Sequence, residues 1–114
     1  MDRPIFRFIA LQEAGDFISS LPLDVREKIY YNIRKISGGI KDVELFKKLE
    51  STDIWEFRTL YKGICYRLFA FWDREEETFV IATHGIIKKS QKTPSKEIAK
   101  AEAIRINYLK DKNR

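Results

Sequence analysis

With 114 residues, one cysteine (Cys65) and one histidine (His84), the chain reads as a single domain spanning 1–114, with neither an internal disulfide nor a Cys/His zinc cluster. Hydrophobic residues are 44% and charged residues 34%, a globular composition, and no run approaches the length of apolar chain that a membrane helix requires. A reduced, cytoplasmic protein without a membrane partner is the expectation. The net charge of +5 is unevenly placed: residues 84–114 hold nine Lys/Arg against three acids, whereas the first 83 hold 13 basic and 14 acidic residues. A basic C-terminal quarter suits a polyanion, nucleic acid first and an acidic protein second, unless it is a solvated helix face.

In chain order, residues 3–9 (RPIFRFI) are β-branched and aromatic and predict a short strand. Leu11, Ala14, Phe17, Ile18 and Leu21 then recur at helical spacing up to Pro22. A second helix carries Val25, Ile29, Ile33 and Ile36 on one stripe, with Asp24 and Glu27 at the spacing of a capping pair and Gly38-Gly39 as its stop. Beyond Gly39 the period changes to that of strands. Phe46–Leu49 predicts a short one, and Ile54–Tyr61 and Ile64–Trp72 flank Lys62-Gly63, a tight hairpin turn. Thr78–Thr83 predicts a further strand, ended by His84-Gly85. Pro94 suits the start of a last helix, Ser95 to about Lys110. The order β-α-α-β-β-β-β-α predicts an α+β fold. Its first strand and helical hairpin pack on a mostly antiparallel sheet, leaving the opposite face open.

The turn fixes a register in which Arg58 faces Arg67, so two guanidiniums stand on one face. Directly opposed like charges are destabilising, so an anion or a buried carboxylate must offset them. A phosphodiester fits the guanidinium fork; Glu56, two residues from Arg58 on the same face, is the structural alternative. His84, near Lys88, Lys89 and Lys92, is either an acid–base group whose pKa the cations lower, or structural. Of Lys47 and Lys48, alternation points only one toward the open face. Arg105 falls within the apolar stripe of the last helix, where it either snorkels or reaches into the site. Glu75-Glu76-Glu77 reads as a solvated hairpin tip, and Cys65 as core.

Three pieces then stand in order: Trp55-Glu56-Phe57-Arg58, Tyr66-Arg67-Leu68, and the string from His84-Gly85 through Lys88-Lys89-Ser90-Gln91-Lys92-Thr93-Pro94. Together with the early helical hairpin they resemble the HigB-like branch of the RelE/ParE toxin superfamily, over nearly the whole chain. The resemblance implies a RelE-like, microbial-ribonuclease-type fold. It implies the toxin of a type II toxin–antitoxin pair, cutting mRNA on the ribosome without a metal or other cofactor, by attack of the 2′-OH on the adjacent phosphate. Such a toxin would be a monomer alone and part of a larger complex with a cognate helix-turn-helix antitoxin. Arg58 and Arg67 would stabilise the phosphorane, with Lys88 and Lys89 in support. His84, or Lys48 through a lowered pKa, would move protons, and Lys47, Lys48, Gln91, Lys92 and Arg105 would hold RNA. Two departures from the family pattern are Ile86, where an aromatic residue is common, and Tyr108 as the only tyrosine after the last strand. ParE-like toxins share the fold but poison gyrase without cutting nucleic acid, and a degenerate toxin would keep only antitoxin binding. The convergent cation set is what favours the nuclease.

Overall fold

The eight expected elements form in the expected order. They are β1 (Arg7–Ala10), α1 (Gln12–Ser19), α2 (Leu23–Ser37), β2 (Phe46–Lys48), β3 (Trp55–Tyr61), β4 (Ile64–Asp73), β5 (Phe79–Lys88) and α3 (Ser95–Lys112). The structure is a computed structural model that describes residues 3–75, 77–88 and 92–113. The strands make one mixed sheet in the order β1-β5-β4-β3-β2, with β1 parallel to β5 and every other pair antiparallel.

Helices α1 and α2 cover one face because their apolar stripes leave no other surface to bury. Ala14, Ile18, Leu21, Val25, Ile29, Ile33 and Ile36 join Phe6, Phe46, Phe57, Tyr66, Leu68, Val80 and Ala82 in one core. The Val, Leu, Ile and Phe side chains among them contribute roughly 1.5–3 kcal/mol each when fully buried. Helix α2 stops as its glycines dictate. Gly39 takes φ +106°, and the Ile40 and Gly39 amides donate to the carbonyls of Lys35 and Ile36, a Schellman closure. Its start differs from expectation. The N-cap is Pro22, with no side-chain cap bond, and Asp24 lies inside the first turn. The Asp24 carboxylate instead accepts from Tyr61 Oη (3.1 Å) and Lys62 Nζ (3.2 Å), tethering the tip of the β3–β4 hairpin.

The opposite face is not open throughout, contrary to expectation. Helix α3 lies over one end of it, where Leu49, Ile54, Phe69, Phe71, Ile81 and Ala101 form a second core flanked by Ile98 and Tyr108. Strand β5 also runs on through His84-Gly85 to Lys88. Gly85 is there for a close approach rather than a stop, since a Cβ would run into the Phe17 ring of α1. The pairing of β4 with β5 slips by one residue between Phe69 and Ala70, so that Thr83 is the extra residue of a bulge. The other end of this face, beyond α3, carries the β3–β4 hairpin and is where the candidate site lies.

Candidate functional site

The two-residue turn positions the site. Lys62 and Gly63 both take positive φ (50° and 78°), as a type I′ turn requires, and the pairing counts back from Tyr61↔Ile64 to Arg58↔Arg67. The predicted juxtaposition therefore exists. On the same face β2 sets Lys47 opposite Glu56, and β5 sets Lys88 opposite Cys65, two residues from Arg67.

Between the guanidiniums is a buried carboxylate. Glu56 is 0% exposed, and its Oε2 lies 3.3 Å from Arg67 Nη1 and accepts from Thr93 Oγ1 at 2.9 Å. Arg67 Nη1 donates to the same Thr93 oxygen at 3.0 Å, closing a three-membered ring of contacts. Glu56 Oε1 stands 3.7 Å from Arg58 Nε, too far for a hydrogen bond, and makes none among the described residues. The structural alternative for Glu56 is thus realised in geometry. One carboxylate has only one charge, however, and two guanidiniums face it. Glu44 approaches Arg58 only at 4.0 Å and is 81% exposed, where water screens it.

The two arginines are not equivalent. The Arg67 side chain is 3% exposed and engaged by Glu56 and Thr93, whereas Arg58 is 21% exposed at the rim. Lys88, half-buried beside them, is held below its ordinary pKa of 10.5, by partial burial first and by the Arg67 charge second. Of the lysine pair, Lys47 shares the face of Glu56 and Arg58, and Lys48 points to the other side with Trp55. Lys92 is exposed on the described segment leading to α3. Lys89 and Gln91 lie outside the described residues. Arg105 is turned to other partners: it pairs with Asp53 (3.4 Å) and Glu102 (2.6 Å) on the α3-covered side.

His84 sits elsewhere. It is buried under the start of α3, stacked on Phe69, with Nδ1 3.0 Å from Thr83 Oγ1 and Nε2 3.2 Å from Glu97 Oε1. Its pKa is lowered, as expected, but burial is the main cause, and the Glu97 hydrogen bond works the other way. Two residues of the cluster escaped sequence reasoning as site members. Thr93 was visible only as part of a string, and Glu56 only as a neutralising neighbour; both act through contacts that link β3, β4 and the α3 approach.

Chemically, the arrangement offers guanidinium and ammonium donors in excess of the one carboxylate they enclose, which suits an anion with several acceptor oxygens. Among the described residues no group of three His, Cys, Asp or Glu is placed to hold a metal ion, and no helix is long and apolar enough to cross a membrane. A family model described as "Phage derived protein Gp49-like (DUF891)" matches residues 16–105, from α1 into α3 and across the whole cluster. No curated protein matches the chain.

Proposed function

Because the chain belongs to the phage-derived Gp49-like family, a RelE-like toxin family, we propose that it is the toxin of a type II toxin–antitoxin pair and cuts mRNA on the ribosome. The observation that carries the nuclease reading is the convergence of Arg58, Lys88 and Lys47 around Glu56, which leaves cationic donors on an open half of the sheet. The scissile RNA phosphate enters against Arg58 and Lys88. The 2′-OH gives its proton to solvent water as it attacks that phosphorus, and the P–O5′ bond breaks, giving a 2′,3′-cyclic phosphate and a 5′-OH. Charge gathers on the non-bridging oxygens in the transition state, where fixed cationic donors gain most. Lys88, its pKa lowered, is a better acid than an ordinary lysine and is assigned to protonate the leaving oxygen. Arg67, locked by Glu56 and Thr93, positions Arg58 from behind. Lys89 joins this group by resemblance, and Lys92 and Gln91 are assigned to the RNA strand on the same ground. His84 is left out of proton transfer because it lies under α3.

The test is cleavage of a defined message in a purified translation system, with and without ribosomes, followed by analysis of the new ends in the presence of a chelator. Cyclic or 3′-phosphate ends are expected, and Arg58→Ala should lower the rate by about 10²–10³. Cleavage that persists undiminished in Arg58→Ala and Lys88→Ala would remove the site. Folded wild-type protein that cuts nothing would remove the nuclease, and a gyrase supercoiling assay would then decide for the ParE-like activity.

A further inference from the structure

Helix α2 brings a second group of cations to the candidate site from the other side of β3. A cleft of about 850 Å³ is lined by Lys28, Asn32 and Lys35 of α2 on one side and reaches Arg58, Arg67 and Lys88 on the other. The cleft exists because β2 is short: it pairs with β3 only up to Phe57, and past the bond from the Arg58 amide to the Leu45 carbonyl that edge of β3 has no strand beside it among the described residues. Five cations line the cleft against two acids, Asp42 and Glu44. Lys28 also borders a shallow depression on the outer side of α2 that contains Tyr31. Tyr31 is 50% exposed, and the ammonium groups of Lys28 and Lys35 lie 4.9 Å and 5.8 Å from its ring centroid. The spacing 28, 31, 35 places all three on one stripe of the helix.

An exposed aromatic ring with two lysine ammonium groups over it, bordering a cationic cleft through Lys28, has the makings of a single-strand platform: the ammonium groups turn from the ring to the phosphates, and a base takes their place on the ring. We propose that single-stranded RNA flanking the cleaved phosphate leaves the site through this cleft, its backbone held by Lys28 and Lys35 and a base stacked on Tyr31. The inference rests on the nuclease reading for its ligand, but it concerns binding and uses residues outside the reacting cluster.

The experiment measures binding of labelled 2′-O-methyl RNA, which lacks the attacking hydroxyl, as a dinucleotide and as an oligomer of about eight nucleotides, within the range of known single-strand sites. Wild-type protein is compared with Lys28→Gln/Lys35→Gln, Lys28→Arg/Lys35→Arg and Tyr31→Ala over a series of salt concentrations, alongside cleavage of the unmodified message. The double Gln variant should lose about 1.4 from the salt slope on the longer oligomer, the arginine variant should restore it, and the dinucleotide should not distinguish them. Tyr31→Ala should weaken the longer oligomer about tenfold. If wild type cleaves and the double Gln variant binds the longer oligomer with an unchanged slope, the path is wrong and the nuclease stands. If the lysine-dependent binding is present without cleavage, the path stands and the nuclease falls. If folded wild type binds an acidic peptide through these lysines and no RNA, the path belongs to a protein partner and the inference is overturned.

Discussion

Two buried carboxylates stand on the same face of the sheet, and their surroundings differ. Asp73, 5% exposed at the α3-covered end, accepts from Tyr108 Oη at 2.8 Å and from Lys112 Nζ at 2.8 and 2.7 Å. Burial pushes its pKa up, but the bonds from Lys112 and Tyr108 outweigh that and hold it below the ordinary 3.8. Both of its oxygens are occupied, its charge meets the Lys112 ammonium, which also reaches Glu75, and the result is a clamp that fixes the last turn of α3 to the end of β4. Glu56, at the uncovered end, faces two guanidiniums with one charge, and one of its oxygens makes no hydrogen bond among the described residues. A closed network of this kind supplies structure. An over-cationic one leaves capacity for a further anion, and that difference separates the two halves of the face.

The largest expected effect is at Glu56. Replacing it with Gln keeps the shape and one acceptor but removes the buried carboxylate charge that both guanidiniums face, at a cost of about 3–5 kcal/mol in urea unfolding. Inorganic phosphate should recover more stability in Glu56→Gln than in wild type, because the vacated charge is the one an anion supplies. Equal effects of phosphate on both proteins would break the comparison. Asp73→Asn should cost less, about 1.5–3 kcal/mol, since Lys112 is partly exposed and keeps Glu75 at 2.9 Å. Because the folded pKa of Asp73 is depressed, its contribution is present above pH 3.8 and is lost as pH falls through the lower folded value. Acid unfolding below about pH 4 should therefore be shallower in Asp73→Asn.

Much of the uncovered half was legible in the sequence, because it is built from local pairing. Lys62-Gly63 specifies its turn, the turn specifies the register, and the register brings Arg58 to Arg67 without any knowledge of the rest of the chain. The helix stripes and their order were legible for the same reason. The covered half depends on contacts between residues far apart in sequence. Gly85 reads as a strand terminator until the Phe17 ring is placed against it, and His84 reads equally as an acid–base group or a structural one until Glu97 arrives with α3. Asp73 and Tyr108, separated by 35 positions, give no local signal of their bond. The parallel pairing of β1 with β5 is likewise non-local. The role of Thr93 was hidden because its partners, Glu56 and Arg67, lie on strands that the sequence string containing it does not touch.

A smaller change tests whether the Asp73 network is as complete as its geometry. Tyr108→Phe removes one donor and leaves both Lys112 contacts, so it should cost about 1 kcal/mol. A much larger loss would mean that Lys112 does not carry the charge pairing on its own. Urea unfolding of Tyr108→Phe beside Asp73→Asn measures both on one scale.

A pH-dependent effect concerns His84, and it decides to which half that residue belongs. Its folded pKa lies below 6.5, so the unfolded chain takes up the proton first as pH falls. Stability is then fully present above pH 6.5 and declines as pH drops toward the folded value, by at most about 1.4 kcal/mol per pH unit. Urea unfolding at pH 7 and pH 5 should show this decline in wild type and not in His84→Gln, which keeps a polar group beneath α3. The cleavage rate of folded protein, measured over the same range, should follow parallel pH profiles in the two proteins. A pH profile of cleavage that loses a limb in His84→Gln, with the stability profile unchanged, would move His84 out of the closed half and into the reaction. The Glu97 and Thr83 contacts would then have to open in the RNA complex, which neither the ring stacking on Phe69 nor the depth of burial favours.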